Sequence, residues 1–196
     1  RDAVAARRES RRARVQPLAI RLHDSAQHIL VTGATGFIGR ELVRALLRDG
    51  HVVTVLTRQP RQAAWLFRGQ VRCVACTGEL PDASRIDVII NLAGARILGW
   101  RWTRARKAVL RNSRIELTRG VVDWIARAHH KPRLFLSASA IGYYGIQARG
   151  DDTELCESAG PQPIFMSQLC ADWELAAHRA AQYGVPVACM RLGLVL

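Results

Sequence analysis

Three glycines spaced three apart, in Gly33-Ala34-Thr35-Gly36-Phe37-Ile38-Gly39, are the residues of this chain best suited to chemistry. A turn without Cβ atoms lets backbone amides and the positive end of a following helix close on a pyrophosphate. The alternative is a glycine-rich turn with no ligand, and the surrounding pattern decides between the two. A second group able to meet such a ligand is Arg58, with Arg61 close behind it. An acidic residue here would hold the two ribose hydroxyls of NAD, whereas a guanidinium pairs with the 2′-phosphate of NADP and stacks on adenine. NADP(H) is therefore the expected cofactor, and NAD is the alternative should Arg58 be only a solvated loop residue. A third group is Asn91-Leu92-Ala93-Gly94-Ala95, whose small residues let the backbone pass beneath a nicotinamide ribose.

These groups can act together only where strands and helices bring them to one edge. His28-Ile29-Leu30-Val31-Thr32 is a short apolar run ended by glycine, and the segment from Phe37 to Arg48 has apolar residues at Ile38, Leu42, Ala45 and Leu46, the spacing of a helix. Gly50 stops that helix, and His51 to Thr57 is a second, β-branched strand. The glycine turn thus lies between a strand and a helix, the context that makes its pattern specific. Further strands are predicted at Val71 to Ala75, Asp87 to Leu92, Arg133 to Ser137 and Pro186 to Arg191, with long helices from Thr103 to His129 and from Pro163 to Tyr183. Near-continuous apolar strands alternating with helices predict an α/β fold, a doubly wound parallel sheet of Rossmann type covered on both faces.

At 196 residues, 49% of them hydrophobic, the chain can bury one sizeable core. No apolar run approaches the ~18 residues of a membrane-spanning helix, and no secretory signal opens the sequence, so a soluble domain is expected. Residues 1–27 mix Arg, Ala, Ser and Gln without a sustained apolar face and read as an arginine-rich arm or linker before a domain at 28–196. A cleaved targeting peptide is the weaker reading, because Asp2, Glu9 and Asp24 interrupt it. Arg1 stands where Met would begin a protein and Leu196 falls inside an expected strand, so the chain reads as part of something longer. Five cysteines without framework spacing point to a reducing compartment, the cytoplasm or an organelle such as a mitochondrion. Cys73 and Cys76 have CxxC spacing, but on a strand they would face opposite sides, so no metal is expected.

The formal charge of +13 is concentrated in Arg1 to Arg21, with seven arginines, and in Ala95 to Arg114, with seven basic residues and no acid. In the second stretch Arg101, Arg104, Arg106, Lys107, Arg111 and Arg114 interleave with Trp100 and Trp102. They read as a solvated helical face, as neutralisation of an acidic cofactor or substrate, or as a nucleic-acid contact. Their spacing spreads them around a helix.

With GATGFIG at 33–39, NLAGA at 91–95 and SASAIGYYG at 137–145, the sequence resembles the short-chain dehydrogenase/reductase superfamily in its extended or atypical branch. The narrower likeness is to epimerase-family proteins of the NAD-dependent epimerase/dehydratase type. It is carried by Arg101-Trp102-Thr103 with Arg106-Lys107, by Asn112-Ser113-Arg114, and by Leu169-Cys170 followed by Asp172-Trp173-Glu174. The resemblance covers residues 28–196. It implies an NADP(H)-binding domain, an oxidoreductase or epimerase activity on a small carbonyl or sugar-type substrate, and a C-terminal substrate lobe or partner chain outside this sequence. The family pattern favours an anionic small molecule over nucleic acid as the object of the basic stretch.

In that superfamily a tyrosine, its pKa lowered by a lysine four residues later, passes a proton while hydride moves to or from nicotinamide, and a serine on the fifth strand orients the substrate oxygen. Ser139 matches the serine, with Ser137 as the alternative. The tyrosine and lysine positions fall on Met166 and Cys170, or one residue earlier on Phe165 and Leu169, and no lysine lies in this helix. Tyr143 or Tyr144 could supply the phenol, with a neighbouring arginine or the cofactor's own charge in place of the lysine; equally, both could shape a pocket or pack under the loop. Cys170 reads as a small core residue rather than a reactive thiol. Glu157 and Glu174 read as exposed. The absent pair keeps open a second class, a non-catalytic NADP(H)-binding subunit lending structure or redox sensing to a larger assembly.

Overall fold

The computed structural model describes residues 25–97 and 101–195. Strand β1, His28–Thr32, turns Ile29 and Val31 to one core cluster and Leu30 to another, and all three are fully buried. A strand apolar on both faces belongs inside a sheet. β1 pairs in parallel with β2 (Val52–Leu56), His28 opposite Val52, and with β4 (Val88–Asn91), Ile29 opposite Val88. β3 (Arg72–Val74) lies outside β2; β5 (Leu134–Ala140) and β6 (Val187–Leu192) follow β4. The six parallel strands run in the order β3-β2-β1-β4-β5-β6. The chain therefore winds outward one way from β1 and the other way from β4. In such sheets ligand crevices open beyond the carboxyl ends of the strands at this reversal.

Helices α1 (Phe37–Arg48) and α2 (Pro60–Leu66) cover one face, where Val43, Leu46 and Ala63 meet Ile29, Val31, Val53 and Val55. Helices α4 (Ile115–Arg127) and α5 (Phe165–His178) cover the other, with Val121, Trp124, Ile125 and Ala177 against Leu30, Ile89 and Phe135. Helix α3 (Arg104–Asn112) joins the second layer through Leu110, which packs with Ile115 and Leu169.

Several boundaries differ from the sequence reading. The single helix expected over 103–129 is two, α3 and α4, broken at Ser113 and Arg114. Ser113 Oγ accepts from the Ala95 amide at 2.9 Å and donates to the Leu110 carbonyl at 3.1 Å, while Arg114, with φ −109° and ψ −60°, caps the start of α4. The helix expected over 163–183 ends as α5 at His178 and tightens into a 3₁₀ turn, Arg179–Tyr183, stopped by Gly184 with φ +76°. The strand expected from Pro186 to Arg191 is β6, one residue later at each end, and β5 runs past Ser137 to Ala140.

Most of the arginine-rich arm, 1–24, lies outside the described residues, as do Trp100 and Leu196. Residues 25–27 already join the domain: the Gln27 amide donates to His51 Nδ1 at 3.1 Å and its carbonyl accepts from Val52 at 2.9 Å. Among the described residues no helix is long and apolar enough to cross a membrane.

Candidate functional site

β1 ends at Thr32, and the chain turns at Gly33 with φ +68°, a backbone shape that side chains rarely tolerate. A Cβ at Gly33 would lie 2.6 Å from the Leu92 carbonyl carbon, so the ends of β1 and β4 approach as closely as they do only because that atom is missing. The Gly36 amide donates to the Gly33 carbonyl at 3.0 Å, and Gly36 then opens α1 with no side-chain cap and no acid in the first turn. The positive end of α1 is thus uncompensated by its own residues. Gly39, buried one turn on, makes room for the Gly33 carbonyl oxygen and the Ala34 backbone, both of which a Cβ would overlap.

Beneath this turn lies a closed polar floor. Thr32 Oγ1 donates to Asn91 Oδ1 at 2.6 Å; Asn91 Nδ2 donates to Thr118 Oγ1 at 2.8 Å and to Ser137 Oγ at 3.2 Å. Trp173 Nε1 donates to the same Thr118 oxygen at 3.0 Å, which ties α4 and α5 to the ends of β1, β4 and β5. Ser137 is committed to this floor, and Ser139 is the β5 hydroxyl that reaches open space.

Two hollows flank the glycine turn and share Gly33, Gly36, Leu92, Gly94 and Ala95. The first, about 540 Å³, adds Thr35, Thr57, Arg58 and Ala93. The second, about 460 Å³, adds Phe37, Ile38, Gly39, Ser139, Met166, Cys170 and Trp173. One crevice therefore brings together Gly33, Thr35, Gly36, Phe37, Ile38, Gly39, Arg58, Leu92, Ala93 and Gly94, with Ser139 lining the same hollow as Gly39. Met166 and Cys170 of α5 face that space. A larger hollow of about 700 Å³, lined by Arg44, Arg48, Trp65 and Arg68, touches none of these residues.

A family model described as the NAD dependent epimerase/dehydratase family matches residues 29–196. The chain belongs to that family. Among curated relatives of this epimerase/dehydratase chain, the epimerase family protein YfhF of Bacillus subtilis is 36% identical, over 86% of this chain and 55% of the relative. The chloroplastic SDR39U1 homolog of Arabidopsis thaliana is 35% identical, over 88% of this chain and 50% of the relative. The crystal structure of human epimerase family protein SDR39U1 (isoform2) with NADPH superposes with a TM-score of 0.72 at 28% identity, over 86% of this chain and 54% of that one. The chain spans about half the length of the relatives it matches.

The epimerase/dehydratase chain also holds a polar cluster that the sequence reading missed. Glu174, expected to be exposed, is only 7% accessible. Ser139 Oγ donates to its Oε1 at 2.5 Å, and Arg191 grips both carboxylate oxygens, Nε to Oε1 and Nη2 to Oε2, each at 3.0 Å. Arg191 Nη1 reaches the Tyr144 phenol oxygen at 3.1 Å, and the guanidinium lies 3.5 Å from the centre of the Tyr143 ring. The Glu174 hydrogen bond holds Arg191 more firmly protonated than usual. Neither tyrosine lines the hollow beside Ser139. Glu157 enters through its backbone, its carbonyl accepting from Arg191 at 3.0 Å. Arg191 sits directly across from Ser139 in the β5–β6 ladder, a pairing readable only once the two strands are known to be neighbours. Burial raises the Cys170 thiol above its ordinary pKa.

Proposed function

We propose that this chain is the NADP(H)-binding domain, residues 28–196, of an oxidoreductase or epimerase acting on a small carbonyl or sugar-type substrate. The observation that carries the reading is the crevice at Gly33. Two positions there, Gly33 and Gly39, are kept free of Cβ by close backbone approach, and a helix begins with its positive end uncompensated, so an anionic pyrophosphate fits without displacing a side chain. Bound NADP(H) supplies the hydride donor or acceptor.

The chain's own residues do the rest. Amides of the turn from Gly33 to Gly39 hold the pyrophosphate, with Thr35, Phe37 and Ile38 as walls. Arg58, exposed on the 540 Å³ side, pairs with the 2′-phosphate, which favours NADP(H) over NAD. Leu92, Ala93 and Gly94 pass beneath the ribose. Ser139 has given its proton to the Glu174 bond, so its oxygen is left to accept from a substrate hydroxyl. Tyr144, outside the hollow beside Ser139, accepts from Arg191 and keeps its own O–H to donate to a substrate oxygen that extends beyond that hollow. Tyr143, stacked on the same guanidinium, braces Arg191. Further substrate contacts come from another lobe or a partner chain. The five unpaired cysteines suit a reducing compartment.

Met166 and Cys170 on α5 favour a second reading, a non-catalytic NADP(H)-binding subunit, since neither can move a proton as a tyrosine–lysine pair does. Calorimetric titration of NADPH and NADH into the wild type and Arg58→Ala tests the shared premise. Selective NADPH binding that the variant loses is expected; binding of neither nucleotide overturns both readings. Turnover of a carbonyl panel, with Tyr144→Phe as comparison, separates the two.

A further inference from the structure

We propose that Arg114 is a preformed anion site in the hollow beside Ser139, so that the small molecule bound there carries a carboxylate or phosphate. The inference rests on the preceding reading in taking that hollow as a binding place for a small molecule and the glycine turn as the seat of the cofactor's pyrophosphate.

Arg114 stands at the break between α3 and α4, 6% exposed, and lines the 460 Å³ hollow but not the one that holds Arg58. Its guanidinium touches only neutral acceptors: Nη1 donates to the Leu110 carbonyl at 3.3 Å and to Ser113 Oγ at 3.4 Å, and Nη2 donates to the Ala95 carbonyl at 3.1 Å. No carboxylate pairs with it among the described residues. The nearest acid along the chain, Glu116, pairs with Arg119 at 2.8 Å, and the two acids of α5 are taken too, Asp172 by Arg111 at 2.7 Å and Glu174 by Arg191 at 3.0 Å. Cys170 supplies no counter-charge, because burial keeps its thiol protonated.

The guanidinium is also held in place. The Trp173 ring lies 5.2 Å from it, and at Gly94 a Cβ would come within 2.8 Å of Cζ, so glycine is what lets the group lie there. A buried charge facing neutral dipoles is costly, and burial accordingly lowers the Arg114 pKa. An anion entering the hollow would relieve that cost, and the fixed carbonyl tethers mean that little ordering is needed to receive it. The cofactor's pyrophosphate already has a seat at the glycine turn, which leaves the anionic group of the substrate for Arg114. A purely structural guanidinium, bracing the turn at Ala95, would show no saturable response to added anions.

The test follows the Arg114 Nε–H signal of the ¹⁵N-labelled 196-residue chain by NMR while oxalate or inorganic phosphate is added, with and without saturating NADPH. With NADPH bound, the signal should shift saturably. By calorimetry, Arg114→Met should weaken oxalate or phosphate by about tenfold or more, with NADPH affinity changed by less than about threefold and Arg114→Lys intermediate. A wild-type signal that does not respond to either anion overturns the proposal, and this readout stands even where Arg114→Met does not fold. So does unchanged anion binding in a folded Arg114→Met. If NADPH alone saturates the shift and Arg114→Met loses NADPH instead, the guanidinium serves the cofactor's pyrophosphate and the substrate assignment falls. A signal that responds to oxalate in a chain that binds no NADPH would keep the anion site and remove the cofactor reading.

Discussion

At the scale of single residues, what distinguishes the glycines of the turn is what each would strike. At Gly39 a Cβ would overlap the Gly33 carbonyl and the Ala34 backbone, neither of which can swing away, whereas at Gly36 the nearest atom stands 3.1 Å off. Gly39→Ala should therefore cost about 1–3 kcal/mol of stability, while Gly36→Ala costs clearly less. Urea unfolding compares the stabilities, and calorimetry should show NADPH binding more damaged in Gly39→Ala; equal effects at the two sites would contradict the close packing. The cysteines give an independent check on the same crevice. Cys156 is exposed, and its hydrogen bond with Ser158 lowers its pKa, while burial raises Cys170 and pushes Cys189 up to about 11. Because only the thiolate reacts, iodoacetamide near neutral pH should modify Cys156 first and leave Cys170 and Cys189 largely unmodified until the chain unfolds. Peptide mass spectrometry after brief labelling reads the order, and early alkylation of Cys170 would mean that α5 exposes it.

At the scale of elements, local signals and long-range ones part company. β1, the glycine turn, α1 and β2 were legible because each is defined within its own dozen residues: an apolar run, Cβ-free turn positions, helical spacing and a glycine stop. Asn91-Leu92-Ala93-Gly94 was legible for the same reason, although Asn91 as the hub of a buried floor was not, since Thr32, Thr118 and Ser137 reach it from three other elements. The break at Ser113 escaped periodicity because the amide that draws Ser113 out belongs to Ala95. Glu174 was misread because α5 is buried on more than one side, and its partner Arg191 arrives on β6, next to β5 in the sheet. The stop after α5 can be tested cleanly. Gly184 has φ +76°, and a Cβ there would meet nothing within 4 Å, so Gly184→Ala measures backbone conformation alone. It should lose about 1 kcal/mol in urea unfolding with NADPH binding intact; no loss would mean that the turn relaxes to another shape.

At the scale of the whole molecule, the charge of +13 matters less to where a polyanion binds than its size suggests. The basic stretch from Ala95 to Arg114 is largely engaged within the domain. Arg106 donates to the Arg96 carbonyl, Arg111 pairs with Asp172, Lys107 lies over the Phe165 ring at 4.9 Å, and Arg114 is buried. Arg58, by contrast, is exposed beside the glycine turn and makes none of the ion pairs found among the described residues. The excess positive charge should draw any anionic nucleotide, but only a ligand with a 2′-phosphate gains the contact at Arg58. Raising NaCl from about 50 mM to about 500 mM, which shortens the screening length roughly threefold, should then weaken NADPH several-fold and NADH less. In Arg58→Ala the difference between the two slopes should narrow, because what remains is the general field, which feels the extra charge of NADPH only at longer range, and the dipoles of the turn, common to both. Calorimetry at three salt concentrations on both proteins gives the four slopes. If NADPH and NADH already run parallel in the wild type, Arg58 does not meet the 2′-phosphate and selectivity between the cofactors lies elsewhere in the crevice.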